Sequence, residues 1–313
     1  MSSEGSITGF TPPSLSPQKR DKVGGSPPSL LTKAEKSAEE DVTFRGDALE
    51  TTGGALFTTI FILACPEPAK FVAVIFTSKT PTSLFNGMIA PIAPYTLRGT
   101  IWYQGEANVG RAKQYLGLTE LLITDWREQF NNKNMPFYYV QLAPYHYHNA
   151  MGTSSASIRE AQRRALKIPN TGMAVTLDVG NIKDIHPANK IAVGERLAFW
   201  ALANDYDKEL EYSGPLPSKV ERKDNKIVIY FDHATVGLKI RKNVANQFEI
   251  AGNDGKFVPA QVKVLGDKIE VFATGISSPA EVRYAFRNGA EASLFNGEGL
   301  PAPSFTTEEN YEK

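Results

Sequence analysis

The chain reads as an α/β layer fold built on a mostly parallel sheet, followed by an all-β sandwich. Three observations predict this. Between residues 83 and 208, short β-rich runs alternate with amphipathic helical patterns, the texture of strand-helix-strand units. Beyond Tyr206 that periodicity gives way to short alternating runs separated by turn residues, as in a sandwich of roughly 100 residues. The length of 313 residues, 42% of them apolar, suits two packed domains at roughly 150 residues each.

Taken in order, residues 1–54 are rich in Ser, Pro, Gly, Lys and Glu and repeat Pro-Pro-Ser-Leu at 12–15 and 27–30. Too little apolar surface is present to offset chain entropy, so a disordered tail is expected, in preference to a docking motif for a proline-reading domain. Residues 55–82 form an unassigned apolar segment with a strand expected over Phe71–Phe76. Its longest apolar stretch, Ala55–Cys65, is about half of the ~20 residues that a membrane helix needs. The run Phe61-Ile62-Leu63-Ala64-Cys65 has the look of a lipoprotein signal. It follows a long polar stretch instead of opening the chain, so it reads as a buried strand, and no N-terminal signal peptide is readable.

The α/β domain, 83–208, has strands expected at Gly99–Tyr103, Phe137–Leu142 and Met173–Asp178, each apolar on successive residues as in a sheet covered on both faces. Helices fall between and after them. Tyr115, Leu118, Leu122, Trp126 and Phe130 recur at spacings of three and four and mark one face of a helix over 111–130; 156–167 and 188–204 behave alike. The sandwich, 211–308, has strand runs at Lys226–Phe231, Gly237–Arg241, Gln247–Ala251, Val262–Leu265, Lys268–Phe272 and Glu281–Phe286. Turns at Asn253-Asp254-Gly255 and Gly266-Asp267 divide them.

Charge and cysteine content narrow the function. Lys plus Arg equals Asp plus Glu at 34 each, so no global field exists to gather nucleic acid or an anionic membrane. With Cys65 alone, no intrachain disulfide forms. A small-molecule enzyme or an interaction protein fits this balance.

The strongest chemical motif is Asp184-Ile185-His186-Pro187, on a loop after the third strand and before a helix that Pro187 is suited to start. In a serine hydrolase an imidazole takes the nucleophile's proton while a carboxylate fixes its tautomer and stabilises the cation. Two residues' separation on one turn suits His186 and Asp184 to those parts. His146 and His148 lie on a Tyr-rich loop and His233 in the β domain; together with Asp184 and His186 the first two have no zinc-signature spacing, so no metal is expected. The second string is Trp102-Tyr103-Gln104-Gly105-Glu106-Ala107-Asn108, at the end of the first α/β strand. Function in open parallel sheets gathers at the strands' carboxyl ends. Gln104, Asn108 or the Gly105 amide is placed to donate to a developing oxyanion; Glu106 is less easily given a part.

Together the two strings resemble the sialate O-acetylesterase family. The resemblance extends through Ser83-Leu84-Phe85-Asn86-Gly87-Met88-Ile89, Asp125-Trp126-Arg127, Arg159-Glu160-Ala161-Gln162, Asn170-Thr171-Gly172-Met173 and Tyr212-Ser213-Gly214-Pro215 to Asn296-Gly297-Glu298-Gly299-Leu300-Pro301-Ala302. It implies an SGNH-type α/β/α hydrolase domain with a β-sandwich partner. It further implies hydrolysis of O-acetyl groups on sialic acids or related sugars without cofactor, and relatives that are often exported or lysosomal. By that resemblance His186 is the general base, Asp184 its orienter, and the Gln104-Gly105 turn, with Glu106 and Asn108, lies at the oxyanion and substrate site. The family carries its nucleophile on an upstream Gly-Gln-Ser-Asn-Met motif. No Gly-Gln-Ser occurs in this sequence, and Ser26, Ser78 and Ser83 lack a Gly-x-Ser elbow. The nucleophile segment is thus expected to be missing or replaced and the nucleophile stays unassigned, which leaves an inactive carbohydrate-binding or interaction protein as the alternative.

Overall fold

A computed structural model describes residues 60–61, 74–75, 80–241, 246–309 and 311. The tail expected over 1–54 lies outside the described residues, as do Cys65, Ser26, Ser78 and most of 55–82. Of the strand expected at Phe71–Phe76, Val74–Ile75 (β2) is described, antiparallel to Ile60–Phe61 (β1).

The α/β layer has three strands: Thr100–Trp102 (β3), Phe137–Val140 (β4) and Thr171–Ala174 (β5). They run parallel in the order β3-β4-β5. Helix α1, Ala112–Gln129, follows β3; α2, Ser154–Arg164, follows β4; α3, Lys190–Asp205, follows β5. This is the strand-helix alternation that the sequence predicts. β4 is buried along its whole length, and Trp126 of α1 packs edge to face against Trp102, Phe130 and Phe137, which seats α1 on the sheet.

Four local expectations change. Among the described residues β3 is an edge strand, with Ile101 70% exposed, because consecutive apolar residues do not distinguish a central strand from an edge. β5 begins at Thr171 and ends at Ala174: the Thr176 hydroxyl donates to the Gln141 carbonyl and Val179 N–H to Thr176 O, turning the chain out of the ladder. In α1 the buried face runs through Tyr115, Thr119 and Ile123, and Leu118 faces outward. Pro187 precedes α3 instead of starting it; Asn189 is the N-cap, its side chain accepting from Ala192 N–H at 3.2 Å, a bond that satisfies one of the free amides of the first turn.

The β-rich part comprises Leu216–Lys223 (β6), Lys226–Asp232 (β7), Leu238–Ile240 (β8), Phe248–Gly252 (β9), Val258–Pro259 (β10), Gln261–Leu265 (β11), Lys268–Phe272 (β12), Pro279–Tyr284 (β13), Leu294–Asn296 (β14) and Phe305–Thr306 (β15). They form two four-stranded antiparallel sheets, β10-β9-β13-β15 and β11-β12-β7-β6, with β14-β8 as a separate pair. Alternate residues Ile227, Ile229 and Phe231 of β7, Ile250 of β9, Val282 and Tyr284 of β13 and Phe305 of β15 share one buried cluster, as expected for facing sheets. β6 carries four charged residues in its eight, Lys219, Glu221, Arg222 and Lys223, and sits at a sheet edge where they reach water.

The same cluster includes Ile123, Phe137, Tyr139, Met173 and Leu177 of the α/β layer. No described helix is long and apolar enough to cross a membrane.

Candidate functional site

Three parallel strands send their connections out at one edge: Tyr103–Arg111 after β3, Gln141–Thr153 after β4 and Val175–Asn189 after β5. Both motifs singled out in the sequence therefore lie at the carboxyl edge of the sheet, on either side of the β4 loop.

The first loop is held from beneath. Gln104 carbonyl accepts from the Tyr115 hydroxyl at 2.8 Å and from Gln162 Nε2 at 3.4 Å. Gln162 also donates to Val140 O and accepts from Leu142 N–H, so α2 ties the ends of β3 and β4 together. The Gln104 side chain donates to Asn108 Oδ1 at 2.8 Å. Gly105 has φ +152°, a conformation that side chains with a Cβ rarely adopt, and an added Cβ would stand 3.3 Å from the Leu142 side chain. A single 3₁₀ turn, Glu106–Asn108, follows.

Asp184 and His186 come together as their spacing suggests, with a difference in detail. One Asp184 carboxylate oxygen accepts the His186 backbone N–H at 2.9 Å and lies 4.0 Å from His186 Nδ1. The His186 side chain is 88% exposed and that of Asp184 57%. Asn181 shapes the turn: its carbonyl accepts Asp184 N–H and its side chain accepts Lys183 N–H, each at 3.0 Å. Below it, Arg196 of α3 grips Asp178 through two bonds of 2.6 and 2.7 Å, a bidentate geometry that fixes the loop's start.

The first loop meets the start of α3: the Lys190 ammonium, at that helix's first residue, stands 5.1 Å from the centre of the Tyr103 ring, within cation–π range. The Tyr103 hydroxyl is buried and has no hydrogen-bond partner among the described residues. Burial, and secondly the negative charge of Glu106, push Tyr103 up to about 12. The same two causes push Tyr147, on the β4 loop, up to about 12, with the Arg159 guanidinium opposing. Glu106, for which the sequence offered no clear part, thus acts on both phenols.

Tyr103, Tyr147 and Lys190 are residues that sequence reasoning did not assign. The Tyr-rich loop was a signal for the second; nothing periodic marks the third. His233 lies elsewhere, its Nδ1 2.7 Å from Glu211 and its ring against Tyr212. Among the described residues no three His, Cys, Asp or Glu side chains form a metal-binding group.

Comparison with known proteins points to carbohydrate esterases. Residues 75–202 match the family model described as carbohydrate esterase, sialic acid-specific acetylesterase. The chain is 30% identical over 275 residues to the sialate O-acetylesterase of Homo sapiens, covering 77% of this chain and 52% of the relative. It is 29% identical over 258 residues to that of Rattus norvegicus, covering 72% and 47%. A crystal structure of a carbohydrate acetylesterase from Xanthomonas citri superposes with a TM-score of 0.69 at 37% identity, over 72% of this chain and 54% of that one. The chain thus spans about half the length of the relatives it matches. Residues 75–202 thus carry the likeness to the sialic acid-specific acetylesterase family of carbohydrate esterases.

Proposed function

We propose that the chain is a carbohydrate O-acetyl esterase of SGNH type, acting on acetylated sialic acids or related acetylated sugars by acyl transfer through a serine. The observation that carries this reading is the Lys190 ammonium 5.1 Å from the Tyr103 ring, which brings the start of α3, four residues after His186, beside the Tyr103–Asn108 loop at the carboxyl edge of the sheet. In it His186 accepts the proton of the attacking hydroxyl and returns it to the departing sugar oxygen. Asp184, 4.0 Å from the ring, closes to hydrogen-bond range by side-chain rotation and holds the imidazolium; such bonds are commonly long before substrate arrives. The Gly105 amide, or the Gln104 and Asn108 side chains, stabilise the oxyanion. The nucleophile is left unassigned.

Hydrolysis of an acetyl ester by the purified chain tests this. His186→Ala is expected to lower the rate at least about a thousandfold, as loss of a catalytic base does in serine hydrolases; equal rates would remove His186 from the mechanism. A second reading, a binding protein without turnover, is favoured by the absence of Gly-Gln-Ser from the sequence. Calorimetric binding of an acetylated sugar with no acetate release would support it.

A further inference from the structure

Asn288 belongs to the turn after β13, yet its bonds reach the loops at the carboxyl edge of the parallel sheet. It is 3% exposed. Its Oδ1 accepts from Ser155 N–H at 2.8 Å and from the hydroxyls of Ser155 and Ser154 at 2.9 and 3.3 Å. Its Nδ2 donates to Asn149 O at 2.9 Å, its N–H to Gly152 O, and its carbonyl accepts from Tyr145 N–H at 3.1 Å. Gly289 N–H adds a bond to Ala150 O at 3.0 Å. One turn of the β-rich part therefore bonds four backbone groups of the β4 loop, those of Tyr145, Asn149, Ala150 and Gly152, in a segment that has no ladder of its own to meet its backbone polar groups.

That loop is in turn bonded to the candidate site. His146 N–H donates to Ile182 O at 3.0 Å, and Ile182 lies inside the Asn181–Asp184 turn. The Ile182 side chain occupies the space beside Gly289 where a Cβ would overlap its Cδ1. Behind the turn, the fully buried Arg159 donates to the carbonyls of Ala285 and Arg287, so the anchor is itself fixed.

We propose that Asn288 and Gly289 are positioning residues for the Asp184–His186 turn, acting through the 145–152 strap and Ile182, so that the β-rich part sets where the imidazole stands. Its catalytic consequence rests on the esterase reading; its structural content does not. Misplacement by about 1 Å is enough to cost a hundredfold in rate.

The test is residue-resolved amide hydrogen exchange of the full chain, with hydrolysis of 4-nitrophenyl acetate as a second readout. Asn288→Ala is expected to speed exchange about tenfold or more at Ser155, His146 and Asp184, with β4 amides unchanged, since a buried bonding partner is lost locally. Gly289→Ala, a smaller lesion that keeps Asn288, is expected to do so at His146 and Asp184 but not at Ser155. Where the parent hydrolyses the ester, both variants should lower kcat at least about tenfold with KM within about twofold, the pattern of a displaced catalytic group. Faster exchange at Ser155 with His146 and Asp184 at parental rates in both variants would overturn the proposal. A parent without ester turnover overturns the esterase reading and leaves the exchange comparison to decide the positioning.

Discussion

The Tyr103 hydroxyl is buried with no partner among the described residues, and an unsatisfied buried hydroxyl costs about 1–3 kcal/mol. Tyr103→Phe removes that cost and keeps the ring beneath Lys190, so its urea midpoint at neutral pH should equal or exceed the parent's. The same burial makes the site sensitive to alkali. Tyr103 and Tyr147 are both raised from 10.0 to about 12. Between those values the unfolded chain has released protons that the folded chain keeps, so stability falls as pH rises from 10 to 12 and is fully present below 10. Both phenols are partly open to solvent, which reduces the slope without changing its sign. Urea midpoints at pH 9 and pH 11 check this: the parent should lose more than Tyr103→Phe over that interval, and parallel losses would exclude Tyr103 from the titration.

Helix α3 carries Lys190 to the site, and its seat on the sheet depends on Trp200. That indole donates to Met173 O at 3.1 Å and packs against Tyr138 and Tyr212. Gly172 of β5 makes room for it: a Cβ there would overlap the Trp200 ring and come within 2.8 Å of Tyr138. Gly172→Ala should therefore cost about 1–3 kcal/mol through overpacking, read as a lower urea midpoint with unchanged slope; an unchanged midpoint would mean that α3 shifts freely. The elements themselves were legible because apolar runs and three-to-four spacing report burial directly. Their surroundings were not: Ile101 has the composition of a covered strand and stands at an edge of the described sheet, and Pro187 has the right chemistry for a helix start three residues too early. The site divides in the same way. Asp184, His186 and the Gln104–Asn108 string are recognisable as residue types at a spacing. Lys190 over Tyr103, the Asp184 carboxylate bonding a backbone amide, and Asn288 beneath the β4 loop are tertiary contacts, the last between residues 133 apart at Ser155, and no local pattern encodes them.

The two kinds of secondary structure share a core, and this bears on how the molecule unfolds. Ile123, Phe137 and Met173 lie in one buried cluster with Ile229, Ile250 and Phe305. Polar contacts run alongside: Glu160 accepts from Arg163, Arg164 and Thr306 N–H, Gln141 from Ser304 N–H, and Arg164 donates to Glu308 O at 2.7 Å. Helix α2 has polar residues Ser155, Arg159, Glu160 and Gln162 buried, a pattern that makes sense only with partners on more than one side. Removing the β-rich part would leave Arg159 without its Ala285 and Arg287 carbonyls and Met173 and Phe137 open to water. Uncompensated buried charge is among the costliest defects in a fold. Residues 80–309 should therefore unfold as one unit, with coincident urea transitions by far-ultraviolet circular dichroism and tryptophan fluorescence. The three tryptophans at 102, 126 and 200 all lie in the α/β layer, with Trp200 also packed against Tyr212 and His233 of the β-rich part, so fluorescence reports chiefly that layer and its seam while circular dichroism reports both layers throughout. If the fluorescence midpoint separated from the dichroism midpoint, the layers would be independent, and Asn288 would hold the His186 loop across a joint that opens before the fold does.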